Sequence, residues 1–411
     1  MLGSLNSSSS HDQEEEEAID LQYQLMPRAS PVASGGTTSG FTSSANHMRQ
    51  LLITCAELIS QSDFSAAHRL ISVLSANSSP YGDSRERLVH QFVKALSLRL
   101  NPHGAAMTRV LMNIANPSAA VGGGGGGASS VTASAVNAIL EAIEVGQQAI
   151  HIIDFDIMHG VQWPPLMQAL AERSSNNIYP PPMLRITGTG HDLNILDRTG
   201  DRLLKFAQSL GLKFQFHPLL LPNNDASSLP SAITLLPDEA LAVNCVLYLH
   251  RLLKNDSRDL RIFLHRIKAL NPKVVTIAER EANHNHPFFL QRFLEALEHY
   301  AALFDSLEAT LPPNSRERLA VEQIWFGKEI MDIVAAEGEE RRERHERFES
   351  WEMILRSAGF TNVPLSPFAL SQAKLLLRLH YPSEGYHLQI LNNSFFLGWQ
   401  NHALFSVSSW H

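Results

Sequence analysis

Cysteine is nearly absent: Cys55 and Cys245 are the two in 411 residues, and no CxxC occurs. That excludes a disulfide framework and a thiolate zinc site. Both cysteines read as buried apolar residues. No apolar run approaches the roughly 20 residues a bilayer span requires. The start, MLGSLNSSSSHDQEEEEAID, is polar and acidic where a secretion signal is basic and then apolar. An intracellular chain without membrane contact is expected. Positive charge is scarce as well, the formal net charge being −8. Residues 1–46 carry −5 of it, through Asp12, Glu14, Glu15, Glu16, Glu17 and Asp20 against Arg28. The remaining body is near neutral, whereas a chain that reads DNA unaided presents a basic face to phosphates.

What is present begins with length and apolar content, 411 residues at 44% hydrophobic, enough for a sizeable core and, by length, two or three domains. Residues 1–46 are rich in Ser, Gly, Thr and Glu with few large apolar groups. Such a segment buries too little surface to offset the entropy of ordering, so disorder is expected there. From His47 a helical period takes over. Leu51, Leu52, Cys55, Leu58 and Ile59, then Phe64, Ala67, Leu70, Ile71 and Leu74, then Leu88, Phe92, Ala95, Leu96 and Leu98 predict three amphipathic helices up to residue 101. Asp83 with Glu86 three residues on predicts a capping box for the third. Short connections imply antiparallel neighbours. Six successive glycines, Gly122–Gly127, predict an irregular insert over 102–136, with order returning at VNAILEAIEVG.

Beyond the insert, strands and helices alternate. QAIHIIDFD, MLRITGTG, LKFQFHPLLL, EALAVNCVLYLH and KVVTIAEREA read as strands, with helices near 164–173, 193–210, 257–269 and 287–305. That alternation predicts a mostly parallel sheet covered on both faces. KLLLRLHYPSEGYHLQIL and SFFLGWQNHALFSVSSW read as strand pairs broken by PSEG and WQNH, an antiparallel hairpin closing one edge. The predicted fold class is α/β: a Rossmann-type, methyltransferase-like core, mostly parallel with a C-terminal antiparallel hairpin, plus an N-terminal α-helical cap.

That layout raises the question of an enzyme. A methyltransferase of this kind needs a glycine-rich turn after its first strand, so that backbone can approach the cofactor, and an acid at the end of the second. Here DFDIMHGVQW holds Gly160 alone among Met158, His159, Val161, Gln162 and Trp163, and Gly188 and Gly190 precede an Asp192 that comes late. No GxSxG elbow occurs. No catalysis and no cofactor are expected; an S-adenosylmethionine-dependent methyltransferase or a small-ligand binder on the same fold is the alternative. Asp154 and Asp156 are expected to serve as structural acceptors that cap turns.

Other constellations are weaker. Asp156, His159, Trp163, Glu279 and Glu281 are placed on the rim of a groove at the strand ends, and the paired acids 279 and 281 read as hydrated. His284 and His286 in NHNHP are the nearest pair among nineteen histidines. Without two further ligands nearby they predict a solvated loop before a proline and no metal site. LHRLL, Leu249–Leu253, matches a short LxxLL docking pattern but falls at a strand-to-helix junction, where burial is expected. GEERRERHERFESW interleaves Arg341, Arg342, Arg344 and Arg347 with glutamates, predicting a salt-bridged helix face.

Several of these stretches together resemble the plant GRAS family of transcriptional regulators. IHIID (Ile150, His151, Ile152, Ile153, Asp154) is similar to that family's VHIID signature, and HGVQWPPLMQALAER to its continuation. NPKVVTIAEREANHNHPFFLQRFLEALEHYAALFDSLEA with FGKEI is similar to the PFYRE region, Pro272 and Glu329 matching and Lys328 replacing the usual Arg. Trp351 with Gly359, Leu397 with Trp399, and the closing SSW at Trp410 follow the SAW region; these five are expected to be structural anchors. On this resemblance a GRAS domain covers 47–410: leucine-rich region I at 47–101, the insert at 102–136, VHIID at 137–192, leucine-rich region II at 193–225, PFYRE at 236–333 and SAW at 337–410. In the family the segment between Asn101 and Asn137 is a long apolar helix, of which NAILEA is what persists here. Within the family, MLGSLNSSSS, DEALAVNCVLYLH, SRERLAVEQ and LLLRLHYPSEGY are most similar to the SCARECROW-like Lateral suppressor branch, called Monoculm in grasses. The resemblance implies a nuclear regulator of axillary meristem initiation and shoot branching. It also implies homo- or heterodimers with other GRAS proteins and action through DNA-binding partners such as zinc-finger proteins, with DNA touched indirectly at most.

Overall fold

The computed structural model describes residues 38–101, 103, 126–174, 180–221, 233–254, 256–380 and 383–411. Two compact units divide the chain, Met1–Ser44 and Ala45–His411, and the sheet lies wholly within the second. The disorder expected over 1–46 lies outside the described residues as far as residue 37 and is corrected over 38–46, where the first cap helix already runs. Most of the insert expected over 102–136 also lies outside the described residues.

The cap is helical. Helices α1 (Thr38–Ser60), α2 (Phe64–Ala76) and α3 (Ser84–Leu100) bury or half-bury the apolar stripes named above, except for Phe64, which is exposed. Asp63 caps α2 by accepting from the Ala66 N–H, and Asp83 caps α3 by accepting from Arg85 and Glu86. In both, a short carboxylate satisfies N–H groups that the first turn leaves unpaired. Helix α4 (Gly126–Ala142) corrects the insert's far boundary. It begins inside the glycine run, because Val131, Ala135 and Ala138 bury a helical stripe in the same core as the cap, and that packing outweighs the poor propensity of glycine.

Next come β1 (Ala149–Phe155), α5 (Trp163–Ser174), β2 (Met183–Gly190), α6 (Leu193–Ser209), β3 (Phe214–Leu220), β4 (Glu239–Val246), α7 (Arg258–Ala269), β5 (Val274–Arg280) and α8 (Phe289–Thr310). Within a nine-stranded sheet these strands run in the order β3-β2-β1-β4-β5, all parallel. The middle strands are buried along nearly their whole length, as a sheet covered on both faces requires. Edge strand β3 instead alternates, and it tolerates Pro218. Gly200 in α6 is needed for close approach to it: a Cβ there would meet the Phe216 ring at 2.5 Å.

After α8 the chain forms α9 (Arg316–Ala320), a π-turn at Val321–Phe326, α10 (Gly327–Ala335) and α11 (Phe348–Ser357). Then follow β6 (Asn362–Val363), α12 (Pro367–His380), β7 (Tyr386–Leu391), β8 (Ser394–Trp399) and β9 (His402–Trp410). β9 pairs antiparallel with β5, and the sheet ends β9-β8-β7. The parallel core closed by antiparallel strands is as expected, with two corrections. The segment KLLLRLH is the end of α12 and not a strand; Ala369, Ala373 and Leu377 are buried at a spacing of four, a helical stripe. The hairpin is therefore a three-stranded meander, whose β7–β8 turn uses Asn392 and Asn393 at φ 47° and 63°, as a two-residue turn between twisted strands demands. Residues 341–347 form no helix. Arg341, Arg344 and His345 point inward, so the charge alternation there belongs to an extended strap and not to a solvated helix face.

The three tryptophans of the C-terminal region are buried and each finds an acceptor for its indole N–H. Trp351 donates to the Glu346 carbonyl at 2.9 Å, Trp399 to Asp305 Oδ2 at 2.7 Å and Trp410 to Ser408 Oγ at 2.8 Å. Leu397 is buried beside Trp399, while Gly359 is exposed and ends α11 at φ 86°, a conformation glycine takes without strain. Trp410 lies opposite Val275 of β5 and Asn362 of β6. Trp410→Ala should lower unfolding free energy by about 3 to 5 kcal/mol, read by urea denaturation; an unshifted midpoint would show that this ring does not anchor the edge.

Candidate functional site

In open α/β sheets ligands sit where strand order reverses, outside the carboxyl ends of the strands. Here that point lies between β1 and β4. β1 brings Ile150, His151, Ile152, Ile153 and Asp154 there, all buried. Ile150 and Ile152 pack in one layer with Trp163 and Leu203, and Ile153 in the opposite layer with Tyr248 and Phe263. His151 Nε2 lies 2.8 Å from Thr187 Oγ1, and burial together with the Arg185 charge pulls its pKa down to about 4.

Asp154 closes the crevice with side chains of this chain. Its Oδ2 accepts from Gln162 Nε2 at 2.7 Å and Trp163 Nε1 at 2.8 Å, and its Oδ1 from Asn244 Nδ2 at 2.7 Å. Asn244 Oδ1 in turn accepts from Thr276 Oγ1 at 2.9 Å. Burial pushes the carboxyl up to about 7 despite these three donors. Asp154 is thus an acceptor, but for side chains and not for a turn.

The following turn passes through positive φ at Asp156, Met158 and Gly160. It rests directly on α6, since a Cβ on Gly160 would meet Thr199 Cγ2 at 3.0 Å and Leu203 Cδ1 at 3.2 Å. Thr199 Oγ1 donates to the Met158 carbonyl and Arg202 Nη2 to the His159 carbonyl, each at 2.8 Å. A nucleotide-binding turn offers N–H groups to phosphate; this one is fastened to a helix by its carbonyls. Asp192, in the region where a ribose-binding acid is sought, caps α6 by accepting from Asn194 and Ile195.

Two residues placed on the rim are not there. Trp163 is 0% exposed and Glu279 1% exposed, because the indole N–H is committed to Asp154 and the carboxylate to the backbone of a turn. Asp156, His159 and Glu281 are half-buried. Asp156 pairs with Arg251 at 2.5 Å, and Glu281 accepts from the Phe348 N–H at 3.2 Å. Burial raises the Glu281 carboxyl to about 7. LHRLL is a buried 3-10 turn at Leu249–Leu252.

Glu279 organises a polar cluster missed in the sequence. Its Oε1 accepts from the N–H groups of Tyr248, Leu249 and His250 at 3.1, 2.7 and 3.3 Å, and its Oε2 lies 2.7 Å from His250 Nδ1. His250 Nε2 faces Glu343 Oε2 at 3.0 Å, and His345 Nε2 faces the same oxygen at 3.4 Å. His284 Nδ1 is 3.0 Å from His345 Nδ1. Instead of a solvated loop, His284 is fully buried and stacked on Tyr300. Burial would lower the His250 pKa, but the carboxylates of Glu279 and Glu343 hold it up at about 9. Burial and the Arg280 charge pull His284 down to about 3. Asp332 Oδ1 accepts from the Arg342 and Glu343 N–H groups at 2.8 Å, which holds the strap in place. His250 and His345 stand 95 positions apart; no spacing rule links them.

Comparison with known proteins decides the family. The model described as the GRAS domain family matches residues 48–121 and 129–411. The chain belongs to the GRAS family. Among GRAS relatives, Scarecrow-like protein 18 of Arabidopsis thaliana is 53% identical over 404 residues, covering 88% of this chain and 91% of that protein. Protein MONOCULM 1 of Oryza sativa subsp. japonica is 44% identical, covering 88% of each. The crystal structure of SCL7 of Oryza sativa is 34% identical, with a TM-score of 0.72 over 89% of this chain and 99% of that one. The GRAS match breaks at 122–128, essentially the glycine run. The departure from the family is thus narrower than the whole of 102–136.

Asp154 permits a pH test. Its carboxyl titrates near 3.8 when unfolded and at about 7 when folded. Between these values the folded state holds a proton that the unfolded chain has lost, so this group's contribution falls as pH rises through the window. Denaturation at about pH 5 and about pH 8 should therefore show Asp154→Asn more destabilising at the lower pH; an equal or reversed difference would contradict the buried carboxyl.

Proposed function

We propose that this chain is a nuclear transcriptional regulator that works through protein–protein contacts, with a role in axillary meristem initiation and shoot branching. The observation that carries the non-catalytic reading is the closure of the switch-point crevice by Asp154, Trp163, Gln162 and Asn244. A ligand entering there has to break hydrogen bonds to a buried carboxyl, two of them themselves buried, and each buried group left unpaired costs about 1 to 3 kcal/mol. Similarity to MONOCULM 1 and Scarecrow-like protein 18 over most of their length supports a regulatory role in plant development.

The partners proposed are other GRAS proteins and DNA-binding factors such as zinc-finger proteins, with DNA reached through them. The near-neutral body supports this, because phosphate binding draws on clustered Lys and Arg. No helix among the described residues is long and apolar enough to cross a membrane. The proposed domain boundaries are those given for the family regions, except that the insert gives way to helix α4 at Gly126, and Asp156, His159 and Glu281 are the rim residues this reading retains.

The purified full-length chain should capture GRAS and zinc-finger nuclear factors in pull-down and change a reporter's output when recruited to its promoter. Failure of both would sink the scaffold reading. Titration calorimetry with S-adenosylmethionine at millimolar ligand should give no binding heat, and a saturable heat would favour the methyltransferase or small-ligand reading.

A further inference from the structure

Two imidazoles and a carboxylate from separate segments converge behind β4. His250 Nε2 and His345 Nε2 lie 3.0 and 3.4 Å from the same oxygen of Glu343, and the three ligand atoms fall within 4.8 Å of one another. A tetrahedral ion with bonds of about 2.0 to 2.1 Å sets neighbouring ligand atoms about 3.3 Å apart. Both histidines are buried, at 1% and 0% exposure, and each Nε2 faces the Glu343 carboxylate without completing a hydrogen bond of good geometry. Buried polar atoms without partners call for an ion or a water. Here two of them face one carboxylate.

The outer contacts are those that prepare a histidine to ligate. A metal-binding imidazole typically engages its other nitrogen with a fixed acceptor, which sets ring orientation and frees the far lone pair. His250 Nδ1 meets Glu279, itself held by three backbone N–H groups. His345 Nδ1 meets His284 Nδ1, and the His345 carbonyl accepts from the His284 and Asn285 N–H groups. The nearby arginines pair with other acids, Arg251 with Asp156 and Arg280 with Glu329, and the proton on His250 that offsets Glu279 and Glu343 without metal is the charge a bound cation would replace.

We propose that His250, Glu343 and His345 bind one divalent transition-metal ion of the zinc class. Two nitrogens and one oxygen suit zinc or a similar ion and not calcium or magnesium, which take oxygen ligands. The bound ion fastens the strap at 341–347 to the turn after β4, so its role is a clasp between segments distant in sequence.

The test uses the full-length chain, stripped with chelator and titrated with Co2+ as a spectroscopic substitute. Expected are one equivalent bound with low-symmetry ligand-field bands, displacement by Zn2+, and a higher melting temperature with metal. Glu343→Gln and His345→Gln should each weaken Co2+ binding at least tenfold, while His286→Ala, outside the cluster, leaves it unchanged. Melting in chelator separates lost ligation from lost folding. X-ray absorption on the zinc-loaded native chain gives a readout without variants: two imidazoles with oxygen and no sulfur. Absence of the bands, a different ligand count, or full affinity in both variants would overturn the site.

Discussion

A carboxyl buried at the end of β1 is the constraint around which the rest of the core is arranged. Asp154 lies between the two halves of the sheet, and its three donors come from the turn after β1, from α5 and from β4. An acid without a basic partner at such depth is tolerable only when neighbours direct N–H groups at it. That requirement fixes the Trp163 indole beneath the turn and sets Asn244 beside Thr276. It also fills the crevice that a dinucleotide or methyl-donor fold leaves open. The same strand and turn that start many cofactor sites therefore start a closed core here.

Glu279, at the end of β5, has the corresponding role on the other side of β4. By accepting three backbone N–H groups it folds LHRLL into a buried turn, and through His250 it reaches the strap. Asp332 and Arg341 hold that strap from the other side, Arg341 donating to the His284 carbonyl at 2.6 Å. Paired acids that look hydrated in sequence are in fact buried or half-buried acceptors. The difference is physical: a parallel sheet ends in loops whose N–H groups lack ladder partners, and carboxylates at strand ends satisfy them.

Cap and core share one apolar cluster, since helices α1 to α4, α8, α10 and residues of β8 and β9 bury side chains together. A buried ion pair crosses the same contact, Arg87 of α3 meeting Glu322 at 2.6 Å, with the more exposed Glu308 as a second partner at 2.6 Å. Breaking one partner of such a pair leaves an uncompensated buried charge. The helical region thus belongs to the fold's interior, which gives a scaffold reading a rigid frame on which to present surface.

Local pattern was enough to determine the succession of elements from β1 to α8, because runs such as VVTIAER and the stripe Leu196, Leu203 and Ala207 carry their period within a few residues. The family signature was legible for the same reason, its motifs being contiguous. Where propensity and packing disagreed the sequence misled: glycines at 126 and 127 joined a helix, and KLLLRLH, apolar enough for a strand, kept a helical stripe. The buried side chains of the site were settled only by tertiary structure. Trp163 and Glu279 turned inward because their hydrogen-bond partners lie on other elements, and His250, His284 and His345 met because the strap folds back over β5. Charge and aromaticity specify what a side chain can bond to; which partner it finds depends on the path of the chain.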